Sequence, residues 1–267
     1  MQTFVRKDSI VRKIWGNSEV ILLIFAGAAA EFAVNKAVDW LFFTNKLPAD
    51  PIGRLFSTVR YAQEIVFADE AAARKAIGRM SAIHGGVERQ RGYQIPDWAY
   101  RDVLYMLIDY SERAYALLQR PLTAAEQEEL FRVFRGVGEG MHIPGLPATY
   151  AAWQVDRQLH LQNNLAVSPF TIKLFERYRW QLGPWRYDLL RRVQALLVPG
   201  RVKELLQLDA GPVIPHSIKL FKVLEWLRLK PLVQRILLPA QYLQEVRQLE
   251  QDGPNPDGRD EKMTRMV

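Results

Sequence analysis

Residues Glu70–Gln90, EAAARKAIGRMSAIHGGVERQ, form the stretch from which the rest of the chain is best understood. Apolar or small residues recur in it at positions 73, 76, 77, 80, 83 and 87, which predicts a helix with one apolar face. His84 lies on that face and is followed by Gly85 and Gly86. An imidazole beside glycines that leave room for a flat ligand suits an axial ligand of haem iron. A core histidine bonded to a neighbouring carbonyl group would explain the same pattern.

The composition bounds the class of protein. A chain of 267 residues with 49% hydrophobic residues can bury one sizeable core. It has no cysteine, which excludes disulfides, thiolate-ligated haem, iron–sulfur clusters and cysteine nucleophiles. The net charge of +7 is spread over almost every predicted helix, so we expect a solvated surface and no nucleic-acid partner. A peripheral contact with a membrane surface stays open.

The apolar run Val20–Ala30 follows four basic residues, as the apolar part of a leader peptide would. It holds 11 residues before Glu31, whereas a membrane span needs about 20. We therefore expect a buried helix over residues 20–43. We also expect a cytoplasmic protein, with association at a membrane surface left open.

The remaining pattern predicts an all-α fold of eight or more helices, because no stretch alternates as a strand would. We expect a weakly structured basic arm over residues 1–17, a helical domain over residues 18–245 and a disordered polar tail over residues 246–267. A loop rich in Gly and Pro is expected over residues 136–147. Further helices are predicted over residues 52–67, 97–118, 124–135, 149–164 and 168–179.

Three polar residues share one stripe of the helix predicted over residues 52–67. Arg54, Thr58 and Tyr61 stand at i, i+4 and i+7, so their side chains lie on one side of that helix. Such a stripe is unusual against a core, and it would make sense if it faced a bound ligand. Arg89 and Arg91, just after His84, are candidate partners for the propionates of a haem; two exposed arginines near a helix end would look the same.

The order of several short motifs resembles a known family. Asp50–Thr58, DPIGRLFST, is followed about thirty residues later by Ile83–Val87, IHGGV, and then by Asp97-Trp98 and a helix carrying Asp109. The likeness continues through Pro121–Thr123 and Ile143–Thr149, IPGLPAT. In this order and spacing the chain resembles the haem-dependent oxygenase family of latex-clearing rubber oxygenases and mycophenolic-acid-pathway enzymes.

The resemblance implies a single globin-like helical domain that encloses haem b. It implies that His84 is the proximal iron ligand, and that Arg54 and Thr58 line the distal side where dioxygen and an apolar organic substrate meet. Tyr61 would border the same pocket. The expected function is therefore a haem b-dependent oxygenase that oxidises or cleaves an apolar substrate.

Three departures from the family pattern concern the substrate and the resting sixth ligand more than the haem. One is Thr44-Asn45 in place of the usual His-Ser before the turn. Val34-Asn35 stands where many relatives have a His-Pro pair. Ser57 stands where some rubber oxygenases have a lysine, so a lysine-capped iron is not expected from that position.

Other functions stay open. A carboxylate-bridged di-iron centre needs two Glu-x-x-His pairs, and only Glu139 and His142 have that spacing. His142 and His160 could approach a metal or act on a substrate, although a loop and a helix surface explain them as well. We expect the aromatic residues of segment 153–185 to lie in the core. A non-enzymatic protein that binds haem or lipid is the remaining alternative.

Overall fold

The computed structural model describes residues 3–43, 50–211 and 244 of the chain. All regular structure in these residues is helical, which confirms the predicted all-α class. None of the described helices has both the length and the apolar character that a membrane span requires. The helices are α1 Ile10–Trp15, α2 Ser18–Val34, α3 Asp39–Phe43, α4 Pro51–Phe67, α5 Glu70–Arg91, α6 Asp97–Leu118, α7 Ala124–Gly140, α8 Tyr150–Asn163, α9 Pro169–Leu182, α10 Pro184–Leu197 and α11 Gly200–Leu206.

The core is built around the packing of α2 against α6. Helix α2 is apolar on nearly all sides, as expected of a helix surrounded by others. Gly27 of α2 lies against the ring of Tyr110 on α6, where a Cβ would come within 2.4 Å of the ring carbons. The glycine therefore allows the two helix axes to approach closely.

The N-terminal residues belong to the core, so the expected weakly structured arm is wrong for the described part of residues 1–17. Helix α1 begins after Ser9, whose hydroxyl oxygen accepts a hydrogen bond from the Val11 N–H. Ile14 and Trp15 are fully buried. Of the basic residues that suggested an arm, Arg6, Lys7 and Lys13 are exposed, whereas Arg12 is half-buried and donates to the Val5 carbonyl at 3.0 Å.

The helix predicted over residues 20–43 is interrupted at Asn35. The Asn35 side chain accepts a hydrogen bond from the Ala37 N–H at 2.8 Å and donates one to Asp102 at 2.8 Å. The backbone of Val34 accepts a hydrogen bond from Ala166 at 2.7 Å. These contacts turn the chain after α2, and a short helix α3 follows.

Helix α7 continues five residues beyond its predicted end at residue 135, and two of those residues are glycines in close packing contacts. Gly138 packs on Leu104, and Gly140 packs on Ile77, where a Cβ would come within 2.9 Å of the side chain. Glycine is thus required here for close packing rather than for a turn. Thr123 and Glu126 form a capping box at the start of α7.

Helices α4 and α5 form a hairpin that carries the predicted site residues. Asp50 and Asp69 cap their N-termini by accepting backbone N–H groups at 2.9 and 2.8 Å. A small apolar cluster holds the closed end of the hairpin; it consists of Ile65, Ala73, Ala76, Ile77 and Val137. No described residue of α5 beyond Ile77 is fully buried, so most of this helix lies outside the core. The predicted tail and the predicted helices after residue 211 lie outside the described residues.

Candidate functional site

His84 has one ring nitrogen engaged and one available. Its Nδ1 atom lies 2.8 Å from the backbone carbonyl oxygen of Met80, one turn earlier in α5. Because a carbonyl oxygen only accepts, Nδ1 carries a proton, and in the neutral ring the lone pair is on Nε2. No hydrogen bond joins Nε2 to any residue in the described part of the chain. The ring is half-buried rather than enclosed.

The helix face around His84 is apolar and largely uncovered. Ile83 is 45% exposed, and Met80 and Val87 are only half-buried. At Gly78 a Cβ would have no described atom within 4 Å. An apolar stripe that the described residues leave uncovered is a surface that a hydrophobic ligand can cover.

The space beside the two glycines after His84 is partly occupied. The Arg89 guanidinium folds back along α5, and its Nη1 atom would be 3.4 Å from a Cβ at Gly85. Arg89 is otherwise exposed. Its side chain is long and flexible, so it can move away from the glycines at little cost.

Tyr100 is a neighbour of His84 that the sequence did not indicate. The two rings are 5.5 Å apart at an interplanar angle of 62°. The Tyr100 hydroxyl donates to Glu88 at 3.1 Å, and the same carboxylate oxygen accepts the Ile95 N–H at 2.9 Å. Burial raises the pKa of Tyr100 well above its ordinary value, and the nearby charge of Glu88 raises it further. The phenol is therefore a neutral donor that fixes one edge of the His84 environment.

Arg91 is not an exposed arginine. It donates to Asp39 at 2.5 Å, and its guanidinium carbon lies 4.0 Å above the Trp40 ring centroid. Its Nη1 atom is buried and has no partner among the described residues. Burying a guanidinium nitrogen without an acceptor is costly, so this nitrogen suits an anionic group supplied by a ligand.

The predicted polar stripe on α4 is at the same level as His84. Glu64 of α4 pairs with Arg79 of α5, which sets the register of the hairpin. At a rise of 1.5 Å per residue, Thr58 lies about 9 Å along α4 from Glu64, and His84 lies about 7.5 Å along α5 from Arg79. Because the two helices are antiparallel, both displacements point toward the open end of the hairpin. Arg54 and Thr58 are exposed and Tyr61 is half-buried. The Thr58 hydroxyl donates to the Arg54 carbonyl at 3.1 Å.

A buried ionic cluster joins α2, α6 and α8, and the sequence did not indicate it. Arg157 donates to both Glu31 carboxylate oxygens at 2.6 Å and to Asp109 at 2.9 Å, while the Tyr110 hydroxyl donates to Glu31 at 2.9 Å. Burial alone would lower the pKa of Arg157, but Glu31 and Asp109 raise it. The arginine stays charged, and the cluster holds three core helices together.

Neither His142 nor His160 lies near His84 in the sequence, and the positions of both are explained by local contacts or exposure. His160 is buried, its Nδ1 contacts Asp102 and its Nε2 lies 3.7 Å from Asp156. His142 is exposed and follows α7 with a φ of 59°. Glu139, the possible partner of His142 in a di-iron centre, pairs with Arg135 at 2.9 Å. Within residues 3–43 and 50–211 no three acidic or histidine side chains are grouped to hold a metal ion.

These observations describe an all-α protein in which, among the described residues, the Nε2 atom of His84 has no partner and the apolar helix face around it is largely uncovered. The chain belongs to the family described as ER-bound oxygenase mpaB/B′/rubber oxygenase, catalytic domain, whose model matches residues 12–228. The family consists of oxygenases, so the resemblance and the enzyme class expected from the sequence are confirmed. Neither the curated proteins nor the solved structures that were compared contain a match to the chain.

Proposed function

We propose that this oxygenase is haem b-dependent and that it uses dioxygen to oxidise or cleave an apolar organic substrate. The observation that carries the proposal is the state of His84, whose Nδ1 is held by the Met80 carbonyl while Nε2 stays available on an apolar face. Histidines that bind metals have this arrangement, because the bond at one nitrogen fixes the ring and raises the basicity of the other.

The residues present fit a haem. His84 Nε2 would bind the iron, and the unpartnered Nη1 atom of Arg91 would pair with a propionate. Arg89 would supply a second cation for the propionates. Met80, Ile83 and Val87 would contact the apolar part of the macrocycle.

When bound, the haem supplies an iron that activates dioxygen. Arg54 and Thr58 supply hydrogen-bond donors on the facing helix, and Tyr61 supplies a phenol at the edge of the same stripe. For Thr58 to donate to a ligand, its hydroxyl has to leave the Arg54 carbonyl. The apolar residues of α5 exclude water from the reacting groups.

The oxygenase activity is tested by oxygen consumption. Haem-loaded protein is incubated with isoprenoid, polyketide and aromatic substrates in an oxygen electrode, and products are identified by mass spectrometry with ¹⁸O₂. We expect consumption with at least one substrate class, incorporation of label, and a loss of about ten-fold or more in kcat in Arg54→Gln and Thr58→Val. Haem-loaded protein that consumes no oxygen with any substrate would indicate a haem-binding protein instead. Colourless protein carrying two irons would favour the di-iron alternative.

A further inference from the structure

The corner between α9 and α10 exposes two tryptophans, contrary to the expectation that the aromatic residues of segment 153–185 lie in the core. Trp180 is 72% exposed and Trp185 is 48% exposed. They stand on either side of Gly183, whose φ of 74° turns the chain between the two helices. Trp153 and Tyr178 of the same segment are buried, so the exposure is confined to the corner.

Arginines surround these two rings. The Arg177 guanidinium lies 4.6 Å from the Trp180 ring centroid, and that of Arg186 lies 4.5 Å from the Trp185 centroid. Residues 173–192 contain six Lys and Arg side chains and two acidic ones, a net charge of +4 within a chain whose net charge is +7. The corner is therefore a basic segment, as is segment 74–91 with five Lys and Arg side chains and one acidic one, so positive charge occurs along several helices as expected.

An open cavity of about 460 Å³ lies beside the corner; its charged lining residues are Arg179, Arg191 and Arg192 together with the acidic Asp188 and Asp209. Arg192 is paired with Asp188 at 2.7 Å, and Arg191 donates to the Leu206 carbonyl at 2.7 Å. The exposed Arg179 side chain has no hydrogen bond or ion pair with a described residue. A guanidinium that lines a cavity and has no partner among the described residues suits a phosphate group.

We propose that the α9–α10 corner docks on the surface of a membrane that contains anionic phospholipids. Exposed tryptophans flanked by arginines match the chemistry of a bilayer interface, where indole rings lie at the level of the headgroups and arginines pair with phosphates. Arg179, which lines the cavity, binds one lipid phosphate. This proposal does not depend on the haem, because none of its residues belongs to the His84 face.

Vesicle sedimentation tests the proposal with the full-length protein. Vesicles of phosphatidylcholine alone are compared with vesicles containing 30% phosphatidylserine, at about 0.1 M and about 0.5 M salt. We expect binding to the anionic vesicles at low salt and its loss at high salt. The Trp180→Ala/Trp185→Ala variant is expected to bind about ten-fold more weakly, and Arg179→Gln about five-fold more weakly.

Matched controls separate this surface from general charge and hydrophobicity. Tyr93→Ala removes an aromatic ring that is 74% exposed, and Arg132→Gln removes an exposed charge on α7; neither is expected to reduce binding by more than two-fold. Haem content measured on every variant shows whether the His84 site is intact. The proposal is overturned if the wild-type protein ignores anionic vesicles, if it binds neutral ones equally well, or if the tryptophan variant binds like the controls.

Discussion

The His84 Nδ1 atom donates to the Met80 carbonyl at 2.8 Å, so the only direction left for a ligand is Nε2. The bond lies within one helix, and α5 alone therefore sets the ring orientation before any ligand arrives. A rigid imidazole on a partly uncovered apolar face is pre-organised for metal binding.

Arg91 is expected to increase haem affinity. Its Nη1 atom is buried without a described partner, so a propionate would relieve a cost that the ligand-free protein bears. Arg91→Gln should weaken haem binding by about ten-fold, measured by titration of the ligand-free protein. Arg74→Gln, which breaks an exposed pair with Glu70 on the same helix, should change it by less than two-fold. If the two substitutions weaken haem binding equally, Arg91 does not contact the haem.

Replacing Arg157 should destabilise the fold. Glu31 and Asp109 would be left as buried carboxylates without a cation, and breaking such a pair costs about 3–5 kcal/mol. Arg157→Met is therefore expected to lower the urea midpoint strongly, or to prevent folding. The triple variant Glu31→Gln/Asp109→Asn/Arg157→Met should recover part of the loss, because it removes the unpaired charges. No recovery would mean that packing, not charge, dominates at this cluster.

Replacing two glycines by alanine should change stability in opposite directions, because Gly27 lies where α2 and α6 approach closely and Gly78 lies in open space on α5. Gly27→Ala would place a Cβ 2.4 Å from the Tyr110 ring and should destabilise the protein by roughly 1–3 kcal/mol. Gly78→Ala meets no atom within 4 Å in the interior of α5. In the haem-free protein it should stabilise by about 0.5–1 kcal/mol. Thermal unfolding of both variants measures the difference, and a shift of the same sign in both would contradict the described packing.

Glu112 should make stability depend on pH. Its carboxylate accepts the Tyr150 hydroxyl at 3.0 Å. Burial, with a smaller contribution from Asp109, raises its pKa from 4.5 to about 7. Between those values the folded state binds more protons than the unfolded state, so this group makes stability fall as pH rises through that range.

The Glu112→Gln variant tests this dependence. The substitution should remove the fall in stability between pH 4.5 and about 7 that Glu112 causes. Above pH 7 the free energy of unfolding of the variant should exceed that of the wild type by on the order of 2–3 kcal/mol. Glu128→Gln, at an exposed position of α7, is the control and should leave the slope unchanged. If stability still falls with pH in Glu112→Gln as it does in the wild type, another titratable group causes the dependence.

Local signals in the sequence were sufficient for helices α4 and α5. Asp50 and Asp69 cap these helices through bonds to residues three positions away, and such short-range chemistry can be inferred from spacing. The break at Asn35 could not be inferred in this way, because its cause is Asp102, 67 residues later.

The same distinction applies to the site. His84 and the stripe of Arg54, Thr58 and Tyr61 follow from helical periodicity, whereas the contact of Tyr100 with His84 depends on how α6 returns to α5. The Arg157 cluster joins residues up to 126 positions apart. The helical periodicity of the aromatic residues also does not show that Trp180 and Trp185 face away from the core. A row of aromatic residues has the same spacing whether it is buried or exposed.

The most direct test of the central claim is the visible spectrum of His84→Gly protein after addition of haem, with and without imidazole. We predict a Soret band for the wild-type protein, its loss or shift in His84→Gly, and its restoration when free imidazole fills the place of the missing side chain. His142→Asn, a substitution compatible with the positive φ at that position, should leave the wild-type spectrum unchanged. A His84→Gly protein whose haem spectrum equals that of the wild type would contradict coordination by His84.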